Sequence, residues 1–272
     1  MKKIAKEKRI SAQLVLQNYM LERFLERVSL SVYRHNFVIK GGFLIASVIG
    51  LDSRATMDMD VTIRGYPVSK ESIVKMIKEI ITIPVDDQIS FRFLSIGDIR
   101  EDDEYIGFRV ALSADYEKMA VPLKLDITTG DVITPGEIEF DYKLLLDNRS
   151  ISVYAYNIVT VLAEKLETVI SRGDQNTRPR DYYDIYAINK FKADDIDLGM
   201  LRDALKHTSQ RRGSNELIKQ YKVIMQAVRK SEAMNNQWNN YRRQFDYASD
   251  IVFDKTCDAV IEIMDKIIEN TK

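Results

Sequence analysis

The sequence predicts an α+β protein with a mixed α/β domain over residues 1–150 and a helical domain over residues 151–272. Segments rich in β-branched and aromatic residues, which are typical of strands, are concentrated in the first part. After "ISVYAYN" nearly every segment has the apolar periodicity of a helix. A chain of 272 residues is long enough to form two such domains with apolar cores.

Composition and charge are those of an ordinary globular protein. The chain is 45% hydrophobic and 30% charged, and its formal net charge is −1. No global basic field therefore draws it to nucleic acid, and binding of a polyanion would need a local patch. One cysteine excludes an internal disulfide, and two histidines leave little material for a zinc site. The sequence predicts no membrane span and no signal peptide, so the expected compartment is the cytoplasm.

Helices and strands alternate in the first part of the chain. Apolar positions on one helical face predict an amphipathic helix from Ser11 to Arg34, and a short strand follows at Phe37-Val38-Ile39. A second helical stripe follows Ser69, which is the expected N-cap. The remaining strands are expected in "MDMDVTI", "QISFRFLSI", "YIGFRVALSA" and "MAVPLKLDIT".

Two acids at the start of the strand "MDMDVTI" form the first candidate site. Asp58 and Asp60 point the same way, because side chains alternate along a strand. Asp126 in "LKLDI" shares the polar face of its strand with Lys124. If the two strands pair, three carboxylates converge, and a divalent cation such as Mg²⁺ would relieve their repulsion. The alternative is that they are solvated acids at strand ends.

Gly41 and Gly42 stand between a predicted strand and a predicted helix. Backbone N–H groups at such a position can approach a phosphate, and the helix dipole also favours an anion there. Two glycines alone are a weak signal. Followed by the Asp58–Asp60 pair and a later strand aspartate, they favour a nucleotide site.

Lys165 lies in the middle of the apolar stripe of "NIVTVLAEKLETVISRG", a helix expected to begin after Asn157 and to end at Gly173. A buried lysine is costly unless it meets an acid or a phosphate, although its long stem can also reach the rim of a core. Asp181 and Asp184 lie three residues apart in the next helix. Asp181 either pairs with Lys165 at a site or complements the helix N-terminus.

The last part of the chain interleaves aromatic residues with basic ones in "KHTSQRRGS" and "NNQWNNYRRQFDY". Such a pattern can stack on bases and neutralise phosphates. Core aromatics flanked by solvated arginines account for the same residues and are the favoured interpretation.

Four segments, taken in order, resemble the four motifs of the AbiEii/AbiGii-type nucleotidyltransferase toxins of bacterial abortive-infection and toxin–antitoxin systems. They are "KGGFLIAS…SRATMDMDVTI", "LKLDI", "TVLAEKLETVISR" and "RPRDYYDIY", between about Phe37 and Tyr186. The resemblance implies a polymerase-β-like nucleotidyltransferase domain, in which helices accompany a mixed sheet, followed by a helical C-terminal domain. It also implies that the helical domain contributes Lys165 and Asp181 to the cleft.

The resemblance carries over to individual positions. The residues that match the motifs are Gly41, Gly42, Asp58, Asp60, Lys124, Asp126, Lys165, Asp181 and Asp184. We expect Asp58, Asp60 and Asp126 to bind the metal and, with Lys165 and Asp181, to form the catalytic set. Nucleotide contacts are expected from Lys40, Gly41, Gly42, Arg54, Lys124 and Asp184, and for Arg54 a structural ion pair is the alternative.

The function that the resemblance implies is a magnesium-dependent toxin that transfers a nucleotide from a nucleoside triphosphate to an acceptor, with RNA such as tRNA as the expected acceptor. A cognate antitoxin would be encoded separately and need not bind the toxin directly. Two alternatives stay open: a γ-phosphoryl transferase of kinase type, and a nucleotide-binding regulatory module without turnover. The released product separates the first alternative from nucleotidyl transfer. Nucleotidyl transfer releases pyrophosphate, whereas γ-phosphoryl transfer releases nucleoside diphosphate.

Overall fold

The structure is a computed structural model that describes residues 1–99 and 107–269. These residues form eleven α-helices and one seven-stranded mixed sheet, which is the α+β class that the sequence predicts. None of the helices in the described ranges is both long and apolar enough to cross a lipid bilayer.

The chain divides into two compact units. The first contains Met1–Asp131 and Glu137–Tyr156, and the second contains Val132–Gly136 and Asn157–Lys272. All seven strands belong to the first unit, and seven of the helices in the described residues belong to the second.

The first unit is built on the mixed sheet. Its helices are α1 (Lys2–Lys8), α2 (Ala12–Leu30), α3 (Gly41–Ile49) and α4 (Lys70–Ile81). Its strands are β1 (Phe37–Lys40), β2 (Met59–Ile63), β3 (Ser90–Asp98), β4 (Phe108–Tyr116), β5 (Met119–Thr128), β6 (Ile138–Lys143) and β7 (Ser150–Ala155). The strand order is β3-β4-β5-β2-β1-β7-β6, with β2 parallel to β5 and β1 parallel to β7. The strand that follows Asp58 is therefore central.

Helix α2 covers one face of the sheet. Phe24 of α2 is fully buried, and its ring lies 5.9 Å from that of Phe37 and 6.0 Å from that of Phe91. Burying one such side chain contributes about 2 to 3 kcal/mol. In β2 the buried side chains include Met59 and Val61, so the alternation of the strand directs Asp60 to the opposite face.

The second unit is helical. Its helices are α5 (Ile158–Arg172), α6 (Pro179–Lys192), α7 (Leu198–Arg211), α8 (Asn215–Lys219), α9 (Tyr221–Lys230), α10 (Glu232–Gln244) and α11 (Phe253–Glu269). The Asn157 side chain accepts a 2.8 Å hydrogen bond from the Thr160 N–H, and α5 ends at Gly173, as the sequence predicts. Pro179 is the first residue of α6, where its missing N–H has no helical partner to lose.

The end of one helix differs from the sequence-based prediction, and one predicted strand is described only in part. Helix α2 ends at Leu30 rather than Arg34, because Ser31 is extended and its N–H and hydroxyl both bond to the Val28 carbonyl. The predicted strand "YIGFRVALSA" forms β4, although its first two residues, Tyr105 and Ile106, lie outside the described residues.

Candidate active site

Four charged residues form a row across the middle of the sheet. In the strand register Arg109 of β4 is opposite Asp126 of β5, and Asp126 lies beside Asp60 of β2. Asp60 is in turn opposite Lys40 of β1. Register partners share a face of a sheet, so two acids stand in the centre of this row with a cation at each end.

Asp58, two residues before Asp60, adds a third carboxylate near the row. Burial raises the pKa of Asp58, the nearby Lys124 ammonium opposes this shift, and the charges of Asp126 and Asp60 add to it. Asp58 is thus close enough to Asp126 and Asp60 to be repelled by both. This repulsion is what the sequence predicts if the two strands pair.

The donor set of these three acids fits Mg²⁺, which prefers oxygen ligands. Within residues 1–99 and 107–269, no three acidic, histidine or cysteine side chains are already grouped as a metal site. Asp126 is bonded to Arg109, and Asp60 accepts a hydrogen bond from the Gly42 N–H. Binding of an ion by all three acids would therefore compete with these contacts of the Asp60 and Asp126 carboxylates.

The Gly pair lies directly against Asp60. Gly41 has a φ of +60°, and a methyl group built on it would lie 2.7 Å from the Asp60 Cγ. The Gly42 N–H donates to Asp60 Oδ2 at 3.1 Å. Both the backbone conformation and the space exclude a larger residue at Gly41. Asp60 thus places an anion at the N-terminus of α3, where the helix dipole favours one.

Arg54 lies on the other side of the Gly pair. It is buried and donates to the carbonyl oxygen of Ala55, and a methyl group built on Gly42 would lie 3.0 Å from Arg54 Nη2. Its guanidinium therefore stands next to the backbone that the sequence analysis assigns to phosphate.

Lys40 is held by an acid that the sequence analysis missed. Asp131 Oδ2 accepts hydrogen bonds from Lys40 Nζ at 2.6 Å, Tyr156 Oη at 2.9 Å and Thr128 Oγ1 at 3.0 Å, and also from Thr62. Burial works against the charged form of Asp131, but Lys40 and the hydroxyl donors outweigh it and lower the pKa to about 2. In sequence Asp131 follows a glycine in a loop, so it has the pattern of an ordinary turn residue.

Arg109 is the second residue that the sequence analysis missed. Its Nε lies 2.7 Å from Asp126 Oδ1, and its Nη2 lies 2.7 Å from Asp126 Oδ2. This two-pronged contact with Asp126 raises the pKa of Arg109. The pairing depends on the register between β4 and β5, which no local pattern in the sequence reveals.

The second unit holds a separate charged cluster. Lys165 forms ion pairs with Asp181, which is one of the two alternatives that the sequence leaves open for this acid, and with Asp184 at 3.1 Å. The Lys165 side chain is 17% exposed, whereas those of Asp181 and Asp184 are 3% and 0% exposed. Lys165 is thus a cation shared by two buried acids on the adjacent helix α6.

The aromatic residues near the C-terminal arginines belong largely to the core of the second unit. Trp238 is buried and its Nε1 donates to the Ile251 carbonyl at 2.9 Å. The ring of Tyr241 lies 5.5 Å from Trp238 and 4.8 Å from Phe245. Arg242 donates to the Ser249 carbonyl. Core packing therefore accounts for this aromatic pattern without a bound nucleic acid.

Comparison with known proteins gives one family and two similar structures. The family described as "Nucleotidyl transferase AbiEii toxin, Type IV TA system" matches residues 23–262. A crystal structure of a candidate nucleotidyltransferase from H. pylori has a TM-score of 0.52 at 16% identity, with 96% of this chain and 97% of that chain covered. The crystal structure of JHP933 from Helicobacter pylori has a TM-score of 0.52 at 17% identity, with 96% of each chain covered. No curated protein matches the chain significantly.

Proposed function

The chain belongs to the AbiEii family of nucleotidyl transferase toxins of type IV toxin–antitoxin systems, and we propose that it transfers a nucleotide from a nucleoside triphosphate to RNA. The acceptor that we propose is a tRNA, and the metal is Mg²⁺. The observation that carries the proposal is the adjacency of Asp60 and Asp126 on paired strands, with Asp58 close enough to be repelled by both.

Asp58, Asp60 and Asp126 are the residues that would hold the metal. A bound Mg²⁺ supplies positive charge to the phosphate oxygens of the nucleotide. The backbone at Gly41 and Gly42 would bind the triphosphate, because its N–H groups lie at the start of α3. Nucleotide contacts from Lys40, Arg54 and Lys124 belong to the same proposal. Asp184, whose side chain is fully buried, would act only through its ion pair with Lys165.

The remaining roles concern the acceptor. A hydroxyl oxygen of the RNA forms a bond to the α-phosphorus, the bond to the pyrophosphate oxygen breaks, and the hydroxyl proton leaves to a base. Asp126 is our candidate base. We assign Lys165 to a phosphate contact and Asp181 to orienting the acceptor. Positioning and charge neutralisation then supply most of the rate enhancement.

The cellular compartment, the antitoxin and the biological role are also part of the proposal. Nucleoside triphosphates and tRNA are cytoplasmic, so we place the protein in the cytoplasm. A separately encoded antitoxin would restrain it, and an antitoxin that acts without binding the toxin is compatible with the proposal. Defence against phage is the biological role that we propose for the pair.

A labelling experiment tests the proposal. The protein is incubated with total bacterial RNA, Mg²⁺ and each nucleoside triphosphate in turn, labelled at the α- or at the γ-phosphorus. We expect one nucleotide to pass its α-label to a tRNA-sized band, with release of pyrophosphate and loss of transfer in EDTA. Transfer of the γ-label would instead show a phosphoryl transferase, and absence of transfer from every nucleotide would contradict the proposal.

A further inference from the structure

The contact between Arg109 and Asp126 occupies a proposed metal ligand. Both oxygens of the Asp126 carboxylate accept from the Arg109 guanidinium, each at 2.7 Å. The guanidinium takes one lone pair of each oxygen, so a cation at this carboxylate competes with Arg109 for the remaining lone pairs and for the negative charge. This competition is relieved if the contact with Arg109 opens.

The position of Arg109 makes such an exchange feasible. Its side chain is 51% exposed, and that of Asp126 is 20% exposed. Ion pairs in contact with water contribute little to stability, so opening this one costs the fold little. The guanidinium also has a long side chain, which lets it move while its backbone stays in β4.

The charge of Arg109 acts on the whole acidic group. Arg109 favours the ionised form of Asp58, and Asp58 and Asp60 in turn favour the charged form of Arg109. A cation that enters among the three carboxylates would repel the guanidinium. The same guanidinium matches the paired oxygens of a phosphate group in geometry.

We infer that Arg109 is an exchangeable counter-ion, which holds Asp126 in the nucleotide-free protein, is displaced by the divalent cation, and then binds the triphosphate. This inference rests on the proposed function. It implies that the metal binds weakly to the free protein and tightly together with the nucleotide. Arg109 would thus help the site to select a ligand that carries a triphosphate.

A second ion pair of the same sheet provides a matched control. Arg92 of β3 holds Asp115 of β4 through Nε at 2.5 Å and Nη2 at 3.1 Å. The side chains of this pair are 60% and 23% exposed, close to the values for Arg109 and Asp126. Asp115 is opposite Ala120 in the sheet, far along β5 from Asp126. Loss of either arginine should affect the fold similarly, and only Arg109 should affect the site.

The test measures two affinities in the parent, Arg109→Met and Arg92→Met. Binding of Mn²⁺ without nucleotide is followed by electron paramagnetic resonance, and binding of a non-hydrolysable triphosphate with Mg²⁺ is followed by calorimetry. We expect Arg109→Met to bind Mn²⁺ about fivefold more tightly and the triphosphate about tenfold more weakly, because it loses a competitor for Asp126 and a charged phosphate contact. Arg92→Met should match the parent in both measurements.

The outcomes separate the possibilities. If Arg109→Met behaves as Arg92→Met in either measurement, the exchange is refuted. Should Arg109→Met fail to fold, Arg109→Lys keeps the charge without the two-pronged contact and should weaken triphosphate binding by a smaller factor; unchanged binding then refutes the inference. A parent protein that never transfers label contradicts the proposed function itself. If the parent transfers label but Arg109→Met changes neither Mn²⁺ binding nor triphosphate binding, only this inference is contradicted.

Discussion

Asp60 and Asp126 lie side by side where β2 pairs in parallel with β5. Because the two carboxylates come from separate strands, their adjacency is fixed by the sheet and does not depend on a loop. Rigid elements hold catalytic groups more accurately than loops do.

Replacement of Asp60 should abolish transfer and leave the fold intact. Asp60→Ala removes one of three mutually repelling carboxylates and takes nothing from the apolar core. We expect label transfer to RNA to fall at least about a hundredfold, the scale seen when one charge-stabilising group is lost from an active site. Asp141→Ala, at an exposed acid of β6, should transfer normally. Normal transfer by Asp60→Ala would remove Asp60 from the site.

Overproduction of the protein without an antitoxin should arrest bacterial growth. Asp58→Asn keeps the shape of the side chain and removes the charge proposed to bind metal, so it should restore growth at the same protein level. Growth curves with immunoblots measure both quantities. An equally toxic Asp58→Asn variant would point to toxicity without catalysis.

Replacement of Gly41 by alanine should lower both stability and transfer. Gly41→Ala meets both a positive φ and the Asp60 carboxylate, and we expect a loss of about 1 to 3 kcal/mol in the free energy of unfolding. The variant should also lose transfer, since Asp60 must shift. Gly97→Ala in β3 has no atom within 4 Å of the new methyl group and should be neutral or slightly stabilising. Denaturant unfolding of the two variants checks the difference.

Removal of Lys165 should lower stability because two buried acids lose their shared cation. For Lys165→Met we expect a loss of about 3 to 5 kcal/mol in the free energy of unfolding, the usual cost of breaking a buried pair. Lys192→Met, which opens an exposed pair with Asp195, should cost about 1 kcal/mol or less.

The double variant Lys165→Met/Asp184→Asn then separates the structural role of Lys165 from its proposed catalytic one. Neutralising Asp184 should recover part of the stability by removing one buried charge. We expect transfer to remain lost, because the proposed phosphate contact is still absent. Recovery of transfer together with stability would assign Lys165 a structural role only.

Glu22 should make the stability of the protein depend on pH. Burial raises the pKa of this carboxyl from 4.5 to about 7, against the hydrogen bond from the Leu145 N–H and the charge of Arg23. The folded state therefore holds a proton that the unfolded state releases, and the free energy of unfolding should fall as pH rises from about 4.5 to 7. The full effect is on the order of 3 kcal/mol.

Denaturant unfolding between pH 4.5 and pH 8 measures this dependence. Glu22→Gln should flatten the curve, since the amide cannot titrate. Glu7→Gln, at a glutamate 60% exposed on α1, should keep the parent slope. A parent curve that rises through this range would contradict the assignment.

Local features of the fold were accessible from the sequence. The cap at Asn157, the end of α5 at Gly173 and the start of α6 at Pro179 each depend on one residue and its near neighbours. Strands β2 and β5 were predictable because their apolar and polar residues alternate. Strand β6 was not predicted, because it is an edge strand with largely exposed side chains. Helix α1 was not predicted, because it is rich in charged residues and has only one buried position, Ala5.

Only part of the candidate site could be predicted from the sequence, because some of its contacts join residues that are far apart in the chain. Asp58, Asp60 and Asp126 could be named because each stands in a recognisable strand pattern. The partners of the neighbouring charges, Asp131 for Lys40 and Arg109 for Asp126, are fixed by strand register and by a loop that folds back. Such long-range pairing leaves no trace in a local window of sequence.

The first unit consists of two stretches of chain, and these stretches end at Asp131 and at Tyr156. The Tyr156 hydroxyl donates a hydrogen bond to Asp131 Oδ2 at 2.9 Å. Lys40, which directly precedes the Gly pair, bonds to the same Asp131 oxygen. One carboxylate thus ties the segment that we propose to bind nucleotide to both points where the chain leaves this unit. Loss of the Asp131 carboxylate would therefore take a partner from the Lys40 ammonium and an acceptor from the Tyr156 hydroxyl at the same time.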